Sequence, residues 1–298
     1  MSAPLPPPSC PETSGSIARI WRGEARYPDA LEDLRENAPR QLTARGRLEL
    51  LDVQPRVAIV GTRRATGYGL RVTRELGAAF ARAGACVVSG LALGIDGAAH
   101  QGALEAGGAT IAVLGTGLDA VFPRANRALQ ARIASDGLLL SELEPLEHGT
   151  KWTFPERNRI IAALSAVTIV VEAPHKSGAL ITADCAEELG RTVAVIPGPI
   201  DQPQSAGSNR LLRDGRLALV TIEDALALVG LTPPPRAPRG DPRGNEGRVW
   251  AALAGGGLDM DTLCLKSGLP AAQCMAAVTT LELHGSVECA ITGEIRRR

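Results

Sequence analysis

Residues 57–69 read VAIVGTRRATGYG: an apolar run, a glycine, two arginines and a second glycine-rich turn. Val57, Ala58, Ile59 and Val60, bounded by Pro55 and Gly61, have the continuous apolar character of a strand buried on both faces of a parallel sheet. Gly61 gives the backbone room to turn and to approach a ligand. Thr62, Arg63 and Arg64 then fall at the carboxyl end of that strand, and a helix starting near Gly67 or Gly69 aims its free N–H groups at the same place. These parts compose a cationic anion site. A plain strand-to-helix turn with two solvated arginines fits the same residues. The dinucleotide fingerprint GxGxxG does not, because its three glycine positions hold Gly61, Arg63 and Thr66.

Downstream of this strand, apolar runs and amphipathic stretches alternate. Strands are expected at 57–60, 85–89, 110–114, 138–141, 167–171, 192–196 and 217–220. Helices are expected between and after them, at 69–83, 95–106, 125–134, 155–164, 178–189, 207–213 and 222–229. This alternation predicts an α/β fold with a doubly wound, mostly parallel sheet, whose ligands bind outside the carboxyl ends of the strands. Upstream, residues 1–16 are Pro- and Ser-rich and read as a disordered tail. The sheet domain is assigned to 17–230; its lead-in carries Leu31 and Leu34 at helical spacing and a turn at Arg45-Gly46. Residues 231–245 are a Pro/Gly/Arg-rich linker. In 246–298, helices at 246–254, 260–267 and 271–284 and strands at 287–291 and 294–297 match a small winged-helix domain.

The formal net charge of the 298 residues is zero, so any nucleic-acid binding must come from local clustering. There are three lysines, Lys151, Lys176 and Lys266, against 29 arginines. The six cysteines show no CxxC or other metal-ligand spacing, so no metal is expected. A Walker A motif is missing, and no cofactor is expected. Without a signal peptide or a spanning apolar run, the cytoplasm is the expected compartment and no membrane partner is expected.

Several strand ends carry polar turns: Ser89 to Asp96, Gly115 to Gly117, and Glu172 to Gly178, where Lys176 precedes Ser177 as a candidate N-cap. The most informative stretch is KWTFPERNR, 151–159. Aromatic residues make up 3% of the chain, yet Trp152 and Phe154 lie two apart in a polar loop. Thr153 and Glu156 have capping-box spacing with Pro155 in the first turn, so Lys151 and both rings are expected before the helix. Arg157, Asn158 and Arg159 are expected in its opening turns. Cations beside exposed rings suit single-stranded nucleic acid, because bases stack and phosphates pair. Alternatively, the rings cap the sheet core and the arginines are solvated. For an enzyme the candidates are Asp96 with His100, four apart on one helix face, and the strand-end bases Glu142 and Glu172. The simpler reading of the first pair is a capping Asp and a buried, hydrogen-bonded His. A GxSxG elbow is missing.

VAIVGTRRATGYG, SGLALGIDGAAHQGAL, TIAVLGTGLD, FPERNRIIAALS, SGALITADCA and IPGPIDQPQSAGSNRLLRDG together resemble, in order, the blocks of the bacterial DNA-processing protein A (DprA/Smf) family. The resemblance covers about Tyr27 to Val229, and the C-terminal region is similar to the family's winged helix. It implies an extended Rossmann-like domain that binds single-stranded DNA, forms a homodimer, protects incoming DNA and helps load the RecA recombinase in natural transformation. It implies no enzyme. The family's GSR turn corresponds to Gly61, Thr62 and Arg63, and its Lys-x-x-Phe to Lys151 and Phe154. With their neighbours these give the expected DNA-contacting set: Gly61, Thr62, Arg63, Arg64, Lys151, Phe154, Arg157, Asn158, Arg159, Lys176, Ser177 and Gly178. Leu93 stands where the family often has a basic residue, and the lead-in leaves no room for the N-terminal helical domain of many members. The runner-up is a nucleotide-cleaving phosphoribohydrolase-type enzyme, whose PGGxGTxxE motif the turn at 174–182 does not reproduce. Between Glu246 and Ile295 six acidic residues face two basic ones, Arg248 and Lys266, so the winged helix is expected to contact protein instead of duplex DNA.

Overall fold

The computed structural model describes residues 16–232, 243–283, 286–290 and 293–297. The expected tail at 1–16 lies almost entirely outside these residues, as does most of the expected linker. The chain divides into two compact units between Pro234 and Pro235.

The larger unit is built on a nine-stranded sheet. Its strands are β1 (Ala18–Trp21), β2 (Gln41–Gly46), β3 (Arg56–Val60), β4 (Cys86–Ser89), β5 (Thr110–Leu114), β6 (Leu138–Ser141), β7 (Val167–Val170), β8 (Thr192–Val195) and β9 (Leu217–Ala218). Their spatial order is β1-β2-β6-β5-β4-β3-β7-β8-β9. From β6 to β9 all neighbours run parallel, with Val57 of β3 in register with Val87 on one side and Val167 on the other. The chain steps outward from β3 to β6, then crosses back to β7 on the other side of β3. The switch point therefore lies between β3 and β7, where the flanking connections part and leave a crevice.

The helices are α1 (Gly67–Arg82), α2 (Ile95–Glu105), α3 (Arg127–Asp136), α4 (Thr153–Leu164), α5 (Gly178–Glu188), α6 (Ala206–Arg213) and α7 (Ile222–Ala227). Strand side chains alternate between faces. Ala58 and Val60 pack with α4, α5 and α6, whereas Val57 and Ile59 pack with α1, α2 and α7. Both faces of β3 are thus covered, which is why its sequence is apolar without alternation.

The lead-in differs from expectation. Instead of ending in a turn at Arg45-Gly46, it forms β1 and β2, an antiparallel pair that extends the sheet beyond β6. Ile20, Leu42 and Ala44 enter the main core from it, and Leu31 joins them from a short 3-10 stretch, Asp29–Asn37.

The smaller unit has α8 (Gly244–Ala252), α9 (Met260–Ser267), α10 (Ala271–Leu283) and an antiparallel hairpin of β10 (Val287–Cys289) and β11 (Ile295–Arg297). Val249, Leu263, Cys274, Val278, Leu281 and Val287 fill its core. Three helices followed by a hairpin make it a winged helix.

Candidate nucleic-acid interface

At the switch point a cavity of about 590 Å³ opens at the carboxyl ends of β3 and β7. The turn after β3 supplies Gly61, Thr62, Arg63 and Arg64; the start of α4 supplies Lys151, Phe154, Arg157 and Asn158; the turn after β7 supplies Lys176, Ser177 and Gly178. Eleven of the twelve residues expected to contact DNA are thus brought together, although 63 and 151 are far apart in the chain. One helix opens on this space: Ser177 caps α5, accepting from the Ala179 N–H, and the free N–H groups at its start favour an anion there. The start of α1 is taken: Thr66 accepts from the Gly69 N–H at 3.1 Å, and the buried Glu172 carboxylate accepts from the Thr66 N–H and hydroxyl.

Arg63, Arg64, Lys151 and Lys176 are exposed on the rim, and none has a carboxylate partner among the described residues. Two of them lie against rings. The Arg63 guanidinium lies 5.8 Å from the centroid of Phe154, and the Lys151 ammonium 4.9 Å from the ring of Trp152.

The arginines of α4 depart from the expected set. Arg157 is only 7% exposed and Asn158 8%. Arg157 donates through one nitrogen to the carbonyls of Gly90 and Val113, so it forms the floor of the cavity and is no free phosphate ligand. Asn158 donates to the Gly178 carbonyl at 3.1 Å, tying α4 to the start of α5. Arg159 does not reach the cavity. Two residues along a helix turn the side chain through about 200°, so 157 and 159 point opposite ways. Arg159 is ion-paired with Glu142 at 2.8 Å and donates to the Asn37 carbonyl.

Burial governs the floor. It pushes the Arg157 guanidinium down to about 10, against the pull of Asp96. It raises the Asp96 carboxyl, against Arg157 and the N–H groups of Ala92 and Gly90 that bond to it. It holds His100 down to about 3, with Arg157 adding to the effect. Gly94 caps α2, not Asp96, and His100 bonds through Nδ1 to Thr110 Oγ1 at 2.7 Å. Neither Asp96 nor His100 hydrogen-bonds to the other.

Gly61, expected to give room for a ligand, is hemmed in by the protein, and so are the strand-end glycines Gly90 and Gly115. A Cβ on Gly61 would lie 2.5 Å from Ile95 and 2.8 Å from the Glu172 carbonyl. One on Gly90 would meet the Arg157 guanidinium, and one on Gly115 the Phe154 ring at 2.7 Å. The helix α4 presses into the strand ends, and glycine is the residue that admits its side chains.

The expected Thr153–Glu156 capping box does not form. Thr150 makes a turn that starts α4 earlier, and Thr153 Oγ1 donates to the Gly115 carbonyl at 2.7 Å. Phe154 therefore sits inside the helix and is half-buried, with Phe122 against it at 5.0 Å between centroids. Phe122 is absent from the expected set. Its signal was an aromatic beside a proline in the turn between β5 and α3, followed by Arg124, Asn126 and Arg127. Trp152 is 66% exposed, so it caps no core. The two strand-end carboxylates are engaged: Glu172 accepts from the backbone N–H and hydroxyl of Thr66, and Glu142 from Arg159.

Among the described residues no helix is long and apolar enough to cross a membrane. The chain matches the family described as DNA recombination-mediator protein A over residues 18–230 and the DprA winged helix domain over 232–290. It is 40% identical over 262 residues to a putative DNA processing protein DprA of Mycobacterium tuberculosis, covering 85% of this chain and 67% of that protein. The Streptococcus pneumoniae DprA structure superposes with a TM-score of 0.68 at 42% identity, covering 72% of this chain and 74% of that one. The Helicobacter pylori DNA processing protein A, whose structure is described in terms of a single-stranded DNA binding mode, gives 0.64 at 34% identity and covers 72% and 96%.

Proposed function

The chain belongs to the DNA recombination-mediator protein A family, and from that premise we propose that it binds single-stranded DNA in the β3–β7 crevice. The observation that carries this is the rim: four exposed cations, without carboxylate partners among the described residues, surround a cavity onto which the N-terminus of α5 opens. Arg63 and Lys151 pair with phosphates, with Arg64 and Lys176 beside them. Phe154 offers a ring to a base between them. Phosphate contacts give affinity for any sequence, and stacking favours single strands, whose bases are free. The proposed role extends to protecting incoming DNA and helping load the RecA recombinase in natural transformation, as a homodimer in the cytoplasm. The winged helix serves there as a protein-contacting module.

Binding, with no turnover, is the proposed activity. A phosphoribohydrolase would need a carboxylate free to act on a substrate, and both strand-end carboxylates are held by the protein's own donors. A bandshift of oligo-dT against duplex of equal length, titrated with salt, tests the proposal. Preference for the single strand with a steep salt dependence supports it. Equal binding of the duplex contradicts it, and hydrolysis of nucleoside monophosphates that is lost in Glu172→Gln would favour the enzyme.

A further inference from the structure

We propose that Phe122 and Trp152 are two outer base-stacking platforms, so that the site holds bases beyond the one nearest Phe154. The proposal presupposes that the crevice is a single-stranded DNA site. Of the three Phe and three Trp in the chain, Phe154 lines the cavity, Phe122 packs on Phe154, and Trp152 lies beside Lys151, which also lines it. Their surroundings differ. Phe154 is half-buried, with Phe122 against it at 5.0 Å and an interplanar angle of 43°, and with Arg63 at 5.8 Å. Most of its ring surface is already in contact with the protein. Phe122 is 48% exposed and Trp152 66%. Rings that cap a core are covered; these two leave ring surface open to solvent beside the cations that would hold a phosphate backbone.

Each ring touches a residue of the cavity. Phe122 packs on Phe154, which the Arg63 guanidinium also meets. Trp152 follows Lys151, whose ammonium sits 4.9 Å from the ring. A base on the open face of that indole would complete a stack of cation, ring and base, and the cation–π contact orders the ring in advance. Lys151 can hold a phosphate while its neighbour takes the attached base. Because every base has a π-face, such platforms add affinity without adding sequence preference.

The test uses the full chain with oligo-dT and with an abasic oligonucleotide of equal length. Phe122→Leu keeps an apolar contact to Phe154 but removes the ring; Trp152→Ala removes an exposed ring, and Trp152→Tyr restores one. Phe122→Leu and Trp152→Ala should each weaken oligo-dT binding about tenfold, the usual scale for one base–aromatic stack. The salt slope should stay unchanged, Trp152→Tyr should recover most of the loss, and the penalties should vanish on the abasic strand. If the ring variants bind oligo-dT like the unaltered protein while Lys151→Ala binds weakly, the crevice is the DNA site and the outer platforms are refuted. If the unaltered protein does not bind oligo-dT, the single-strand assignment falls, and the platforms with it.

Discussion

The rim of the β3–β7 crevice and the winged helix both carry surface cations, and three arginines of the winged helix, unlike the rim cations, are engaged within the protein. At the rim, Arg63, Arg64, Lys151 and Lys176 are exposed and have no carboxylate partner among the described residues, and Arg63 and Lys151 lie against aromatic rings. In the winged helix, Arg296 is ion-paired with Glu288 at 2.8 Å. Arg297 stacks 4.2 Å over Trp250 and donates to its carbonyl, and Arg248 donates to the Gly268 carbonyl at 3.0 Å. The helix α10, the element that a duplex-binding winged helix would place in the major groove, has no Arg or Lys. A cation already engaged inside the protein must lose that contact before it can hold a phosphate, so equal counts of arginine do not make equal binding surfaces. A net charge of zero conceals this difference.

Arg157 is the case that would break the comparison if it behaved like a rim residue. Buried beside Asp96 and bonded to two carbonyls, it should act on stability. Arg157→Leu leaves the buried Gly90 and Val113 carbonyls without their donor and should cost about 1–3 kcal/mol or more, read from denaturant unfolding. Full stability with a loss of DNA binding would move Arg157 into the binding set.

The same floor predicts a pH effect that the winged helix should not share. His100 is held down to about 3 in the folded protein, so below its unfolded value the unfolded chain binds the extra proton. Stability is then lost as the pH falls from about 6.5 towards 3, by about 1.4 kcal/mol per pH unit. Asp96, raised by burial, works in the opposite direction: its contribution improves as the pH falls through its raised value. Comparing the unaltered protein with His100→Gln at pH 7 and pH 5 isolates the histidine. The variant should lose less stability between the two, and identical losses would show that the floor does not exclude the charge.

Phe154→Leu should weaken oligo-dT binding by about 1–3 kcal/mol with an unchanged salt slope, because it removes stacking and no charge. Unchanged affinity would leave Phe154 a packing residue for Phe122 and Arg63. The smallest effect should come from Lys266→Ala in the winged helix, which should leave single-strand affinity within about twofold, since one exposed charge outside a binding surface contributes little. A loss comparable to that of Lys151→Ala would erase the distinction between the two regions.

The parallel strands were legible because their both-face burial writes itself as runs such as VAIV and IAVL, punctuated by glycine. The pair β1 and β2 was not, because ARIW and QLTARG mix polar and apolar residues and pair at the edge of the sheet. At the site, residue type revealed which positions carry charge and rings, but not which way α4 is turned. That rotation sends Arg157 inward and Arg159 to Glu142, and it is set by contacts with distant segments, such as Arg157 with the Gly90 and Val113 carbonyls and Thr153 with the Gly115 carbonyl. The packing role of two strand-end glycines was equally hidden. Gly90 and Gly115 are small because Arg157 and Phe154 arrive from a distant segment, which no local window contains.

The account turns on Arg63 and Lys151 acting as phosphate contacts, and the direct measurement is the salt dependence of oligo-dT binding by the Arg63→Ala/Lys151→Ala double variant. Each single-strand phosphate contact contributes about 0.7 to the slope of log K against log salt, so the double variant should lose about 1.4 from the slope and bind more weakly at every salt concentration. A variant that folds normally and keeps both the slope and the affinity of the unaltered protein would place the DNA site elsewhere.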